Sequence, residues 1–243
     1  MEVGNLLWHS AARSDTGKVR ERNEDAFLDQ PEHGLWVVAD GMGGHQNGDL
    51  ASRLIVESLA EIASDVDFTA RLEQLRDCLH RLNRHLSLGL TVTSENPEML
   101  VGSTVVALLA EGSRVACVWA GDSRCYLLRG RQLYQLTRDH SLQQQLIDER
   151  GMSAAEAARQ PAAHALTRAI GAAEELQLDI LELESLPGDV FLLCSDGLYQ
   201  DLGPDQLSAA LIRPSASLAL QRLFELALDG PARDNLSAVV INR

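Results

Sequence analysis

Positive charge is scarce in this chain: 21 Lys and Arg stand against 35 Asp and Glu, a formal net charge of −14 over 243 residues. Without a basic excess there is no face for nucleic acid and no attraction to anionic lipid. There is no C-x-x-C pair either. Cys78, Cys117, Cys125 and Cys194 stand apart, three of them inside apolar runs, and read as buried free thiols of a reducing compartment. The opening residues, MEVGNLLWHSAARSD, lack a basic stretch followed by an apolar one, and no apolar run approaches the roughly 18 residues of a membrane span. A cytoplasmic protein with neither a membrane nor a nucleic-acid partner is expected. No repeat, low-complexity segment or linker divides the sequence, and a hydrophobic fraction of 45% suffices for one core, so a single domain over 1–243 is predicted.

The apolar residues that are present fall into two rhythms. Continuous runs at 34–39 (GLWVVA) and 189–194 (DVFLLC) predict strands buried on both faces. Further strand signals lie at 103–110, 114–120, 124–129, 176–183 and 236–242, and Glu24-Asp25 opens another. The runs at 124–129, 176–183 and 236–242 alternate, which predicts outer strands with one wet face. Helical spacing begins at Asp49, with Leu50, Leu54, Ile55, Leu59 and Ile62. It returns over about 68–90, where Leu72, Leu75, Leu79, Leu82 and Leu86 share a face, and again over 204–212 and 216–228. Runs of strands separated by helix pairs predict an α+β layered fold with antiparallel sheets. The polar, alanine-rich stretch at about 140–165, broken by Gly151 and Pro161, predicts a helical surface flap.

Three apolar strands end in aspartate: VVAD at Asp40, VWAGD at Asp122 and LLCSD at Asp196. Asp234 precedes the last strand. If that strand runs antiparallel to the others, four carboxylates meet on one rim. Asp-Gly is an ordinary hairpin signal, but Asp40-Gly41 and Asp196-Gly197 lead into loop and helix rather than a second strand. Clustered carboxylates repel unless a cation balances them, and an oxygen-only set suits Mg²⁺ or Mn²⁺. Zinc is disfavoured: there is no H-E-x-x-H, and His80 and His85 lie five apart on a leucine-rich helix. The glycines of VVADGMGGHQNG fit neither phosphate-cradling motif, since Gln46 stands at the sixth position of G-x-G-x-x-G and Asp49 where a P-loop needs lysine. What they offer is close approach, with the Gly41 carbonyl free of a side chain. Arg20, before Glu24-Asp25, is a fork suited to a phosphoryl group.

In order along the chain, RNED, VADGMGGH, GSTVVALL, AGDSR, CSDGLYQDL and DNLSAVVI resemble the motifs of the metal-dependent protein serine/threonine phosphatases of the PP2C type, in their compact bacterial form. The resemblance spans nearly the whole chain. It implies a sandwich of two antiparallel β-sheets flanked by pairs of α-helices, with two Mg²⁺ or Mn²⁺ ions at one edge. Asp40 would bridge the ions. Asp196 and Asp234 would complete the first site, while the Gly41 carbonyl with Glu24 and Asp25, partly through water, would serve the second. Asp122 with Asp196 matches a third, weaker site of bacterial members, Arg20 matches the phosphate-binding arginine, and 140–165 matches the variable flap.

The implied reaction is attack of a metal-bridging water on phosphoserine or phosphothreonine in proteins, which needs no nucleophilic side chain. Cys194 sits within a predicted buried strand, against a cysteine-based phosphatase. Where eukaryotic members often carry a histidine directly after the Asp-Gly, proposed as general acid, this chain has Met42, and His45 is the nearest substitute. A silent member used as a binding module would be expected to lose one of Asp40, Asp196 and Asp234, and all three are present. A hydrolase of small phosphate esters or nucleotides would carry the same signature. The resemblance further implies a monomer opposing a Ser/Thr kinase and a forkhead-associated substrate, in some relatives within type VI secretion clusters.

Overall fold

A computed structural model describes residues 8–43, 48–89 and 101–243. Three strands come first, β1 (His9–Asp15), β2 (Asp25–Gln30) and β3 (Leu35–Met42), then two helices, α1 (Gly48–Ala60) and α2 (Phe68–Gly89). A run of strands follows: β4 (Gly102–Ser103), β5 (Val105–Glu111), β6 (Arg114–Ala120), β7 (Arg124–Arg129) and β8 (Gln132–Gln135). The short helices α3 (Leu142–Arg150) and α4 (Ala154–Ala157) lead to β9 (Asp179–Glu184) and β10 (Val190–Cys194). The chain closes with α5 (Asp196–Tyr199), α6 (Pro204–Leu211), α7 (Ala216–Asp229) and β11 (Leu236–Asn242).

One sheet has the order β1-β11-β10-β7-β8. The other is β2-β3-β5-β6-β9, with β4 added beside β3, and every ladder is antiparallel. Successive side chains of a strand point to opposite faces, so the apolar run of β3 serves two cores at once. Leu35, Val37 and Ala39 pack with Ile55 and Leu59 of α1 and Leu75 and Leu79 of α2, whereas Trp36 and Val38 meet Phe191, Leu193, Val239 and Ile241 of the facing sheet. On the far side, Leu192 and Val240 pack with Leu207 of α6 and Leu223 and Phe224 of α7. The result is the four-layer α-β-β-α arrangement predicted for the family. Each fully buried leucine or phenylalanine contributes roughly 1.5–3 kcal/mol to it.

Two of the three strands expected to have a wet face are buried on both. β7 and β11 each lie between two neighbours. In β11, Ala238 and Val240 face the helices while Val239 and Ile241 face the other sheet, so its alternation is one of size and not of polarity. Only β9, at a sheet edge, alternates between half-buried and exposed positions. The stretch 140–165 folds as α3 and α4. Ser141 caps α3 by accepting from the Gln144 N–H, Gly151 ends it at φ 63°, and Ser153 with Glu156 forms a capping box on α4. No described helix is long and apolar enough to cross a membrane.

Candidate metal centre

The antiparallel ladders carry the predicted aspartates to one edge. β10 and β11 pair with Cys194 opposite Ala238, so Asp196, just after the one, and Asp234, just before the other, leave from the same end. On the facing sheet Asp25 and Asp40 are direct cross-strand partners, and Val105 opposite Ala120 brings the end of β6, and with it Asp122, to the same rim. Arg20, Glu24, Asp40, Gly41, Asp122, Asp196 and Asp234 all line one cavity of about 460 Å³. Asp25 does not line it, and His45 lies outside the described residues.

Backbone contacts fix these positions. The strand does not stop at Asp40, as expected from the sequence, but continues to Met42, because β4 pairs with Gly41 and Met42. Thr104 locks the turn: its hydroxyl accepts the Asp40 N–H at 3.0 Å, and its own N–H donates to the Asp40 carbonyl at 2.9 Å. Gly41 is required by packing, since a Cβ there would sit 2.1 Å from the Gly48 carbonyl oxygen and 2.6 Å from that of Glu24. On the opposite wall Asn235 ties the loop before β2 to the loop before β11. Its Oδ1 accepts the Glu24 N–H, and its Nδ2 donates to the carbonyls of Thr16 and Arg22. Tyr199 donates to the Asp122 carbonyl at 3.0 Å. Asn235, Thr104, Ser195 and Tyr199 escaped the sequence reading. Each lies inside one of the quoted motifs, Thr104 in GSTVVALL, Ser195 and Tyr199 in CSDGLYQDL and Asn235 in DNLSAVVI, but their partners lie far away along the chain.

The cavity holds one guanidinium, that of Arg20, against the five carboxyl groups of Glu24, Asp40, Asp122, Asp196 and Asp234. Burial first, and then the surrounding Asp25, Asp196, Asp122 and Asp234, hold the Asp40 carboxyl well above the ordinary range. Burial likewise pushes Asp25 and Asp196 up to about 6 and Asp122 up to about 7, and raises Glu24. Arg20 donates to Asp234 at 2.7 Å, and that hydrogen bond chiefly raises its own pKa.

Among the described residues no three His, Cys, Asp or Glu side chains already converge tightly enough to hold an ion. Protein partners occupy several of them: Arg20 binds Asp234, Gln200 donates to Asp196 at 2.6 Å, and Ser195 donates to Asp25 Oδ2 at 2.8 Å. The donor set nonetheless fits a hard divalent cation. Its side-chain donors are carboxylates, its charge is unbalanced, and Asp25 Oδ1 is buried without a hydrogen-bond partner. The four cysteines are free and buried.

Comparison with known proteins places this chain in one family. The protein phosphatase 2C family model matches residues 17–230. The serine/threonine protein phosphatase PstP of Mycobacterium tuberculosis is 36% identical over 240 residues, which cover 97% of this chain and 45% of PstP. The chain thus spans a little under half the length of that relative. The solved structure of PppA, described as a key regulatory component of T6SS in Pseudomonas aeruginosa, superposes with a TM-score of 0.87 at 41% identity, covering 97% of each chain. The catalytic domain of PstP in complex with two manganese ions superposes at 0.82 with 35% identity, again over 97% of each.

Proposed function

Because this chain belongs to the protein phosphatase 2C family, we propose that it is a metal-dependent phosphatase hydrolysing phosphoserine and phosphothreonine in proteins. The observation that carries this reading is the rim itself: Asp40, Asp122, Asp196 and Asp234, from four separate strand ends, share one cavity with a single arginine. Two Mn²⁺ or Mg²⁺ ions would be held with Asp40 common to both, Asp196 and Asp234 for one, and the Gly41 carbonyl, Glu24 and Asp25 for the other. Asp122 with Asp196 would hold a third, weaker ion. Bound there, the ions supply Lewis acidity that makes water nucleophilic near neutral pH and offsets phosphoryl charge.

The chain's own residues do the rest. Arg20, which lines the cleft beside Asp234, would offer its guanidinium fork to the phosphoryl oxygens. Thr104 and Ser123 hold Asp40 at the strand end through a 2.7 Å hydroxyl pair. Among the described residues lining the cleft, no side chain competes with water as nucleophile. The one lining hydroxyl, that of Thr104, already serves the Asp40 N–H and Ser123, and Cys194 is fully buried with its thiol pushed up to about 12. The α3–α4 segment forms the flap beside the cleft, contributing His164 and Leu166 from its C-terminal end.

The physiological partners are phosphorylated proteins and the Ser/Thr kinase that modifies them, with a forkhead-associated protein among the substrates. The likeness to PppA supports a type VI secretion setting. Four unpaired cysteines support work in a reducing compartment such as the cytoplasm. Phosphate release from a phosphoserine peptide and from a free nucleotide, each with Mn²⁺ and with EDTA, tests the reading. Mn²⁺-dependent release from the peptide in clear preference is expected. Preference for the nucleotide would reassign the substrate, and inactivity at every metal concentration would end the enzyme reading.

A further inference from the structure

A serine or threonine alkoxide leaving phosphorus is strongly basic, so cleavage needs a proton delivered to the departing oxygen. Of the described side chains lining the cleft, the carboxyl groups are those assigned above to the ions, Arg20 is held charged, and Thr104 serves Asp40. The remaining one with a transferable proton is His164. Histidine is the side chain that gives and takes protons near neutral pH.

The position of His164 is built. Its neighbours Ala163 and Ala165 offer their carbonyls to the Gln143 and Leu142 N–H groups at 2.8 and 2.9 Å, fastening the backbone on both sides of it to the first turn of α3. Just before it Ala162 adopts φ 58°, a left-handed conformation unusual for a residue with a Cβ, and its carbonyl accepts the Ala165 N–H at 2.8 Å. The chain after it is pinned in turn: Ile170 exchanges both backbone hydrogen bonds with Ser103, at 2.9 and 3.0 Å. Ser103 pairs with Gly41, and a Cβ on Gly102 would lie 2.9 Å from Met42 Cε and 2.7 Å from the Ile170 carbonyl oxygen. His164 thus lines the same cleft as Asp40, Gly41 and Met42.

The contrast with His140, at the other foot of the same segment, is direct. His140 accepts the Gly121 N–H at Nδ1 and meets Asp179 at Nε2, so both ring nitrogens are occupied. The His164 ring makes no hydrogen bond or ion pair among the described residues, and it is exposed to the cleft.

We propose that His164 is the general acid for the leaving oxygen, a role that rests on the phosphatase reading above. As water adds to phosphorus, the P–O bond to the seryl or threonyl oxygen breaks and its electron pair stays on that oxygen. The oxygen takes a proton from the imidazolium. The proton lost by the attacking water passes to solvent, from which the neutral ring is recharged, leaving alcohol and inorganic phosphate.

Leaving-group chemistry tests this. p-Nitrophenolate departs without a proton, whereas a seryl oxygen does not. With Mn²⁺ present, His164→Ala and His164→Asn are expected to lower kcat on a phosphoserine peptide about 100-fold while leaving p-nitrophenyl phosphate within about threefold. Across substituted phenyl phosphates, the dependence of kcat on leaving-group basicity steepens in both variants. The ring gives a readout apart from turnover: its NMR signal, identified by its loss in His164→Asn, shifts when inorganic phosphate is added to the Mg²⁺-loaded protein. Equal losses on both substrates, retained peptide turnover, or an unmoved ring signal would overturn the assignment. Failure of the unaltered protein to hydrolyse p-nitrophenyl phosphate would instead overturn the phosphatase reading beneath it.

Discussion

The two ends of β10 each lead to an aspartate, Asp189 buried and Asp196 partly buried, and the two live differently. At the start, Asp189 is 1% exposed, and both its oxygens are held by Arg129, at 2.9 and 2.7 Å, with the Leu186 N–H adding a third bond at 2.8 Å. Just beyond the other end, Asp196 has Gln200 at 2.6 Å and otherwise looks across at Asp234 and Asp40, with its carboxyl pushed up to about 6 by burial and then by Asp234. One carboxylate has its own cation within the chain. The other belongs to a group in which Arg20 is the sole guanidinium in the cavity. A buried aspartate is therefore read by what balances it: a bidentate arginine marks a structural joint, and a shared deficit of positive charge marks a place for a ligand.

Exchanging charge for an amide at each place should dissociate the two roles. Asp40→Asn is expected to reduce Mn²⁺-dependent turnover to background while the melting temperature of the metal-free protein holds or rises, because one repelling charge is gone. Asp189→Asn should do the reverse. It leaves Arg129 without its partner and lowers stability by about 2–4 kcal/mol in urea unfolding, with turnover per folded molecule within about twofold of the original. If both substitutions destabilise alike, the distinction between the two ends of β10 collapses.

A smaller effect follows from proton linkage. Asp25, Asp196 and Asp122 hold their protons in the fold up to about 6 to 7, whereas unfolded aspartates lose theirs near pH ~4. Between those limits the folded chain binds more protons than the unfolded one. These groups therefore make the metal-free protein less stable as pH rises through the window, with their full penalty above it. Divalent ions compete with those protons, so the rise in melting temperature on adding Mn²⁺ should be larger at about pH 7.5 than at about pH 5.5, by a few degrees. A metal-induced shift independent of pH would contradict the account. Smallest of all, Gln200→Ala removes only the neutral partner of Asp196 and should change the apparent Mn²⁺ affinity by about two- to threefold in a turnover titration.

Much of this was legible in the sequence because the fold writes its core in one-dimensional rhythm. The leucines of α2 recur every three or four residues, the apolar runs of β3 and β10 announce strands covered on both faces, and the aspartates at their ends mark the rim. Less legible were elements whose burial is set by neighbours. β11 looks half-wet from its small residues, yet lies between a sheet and two helices. β1 and β8, short of apolar residues, form only as sheet partners. The supports of the site were hidden for a similar reason. Asn235 reaches Glu24 across 211 positions, and Ser195 reaches Asp25 across 170. No local pattern encodes such contacts.

On the proposed reading, the carboxylates at this rim gather two divalent ions through Asp40. Counting bound Mn²⁺ by calorimetric titration, in the unaltered protein and in Asp40→Asn under identical conditions, tests it most directly. Two ions per chain at micromolar or tighter affinity, both weakened together by the single substitution, is the predicted result. Undetectable binding in the unaltered protein, or the same stoichiometry and affinity after Asp40→Asn, would contradict it.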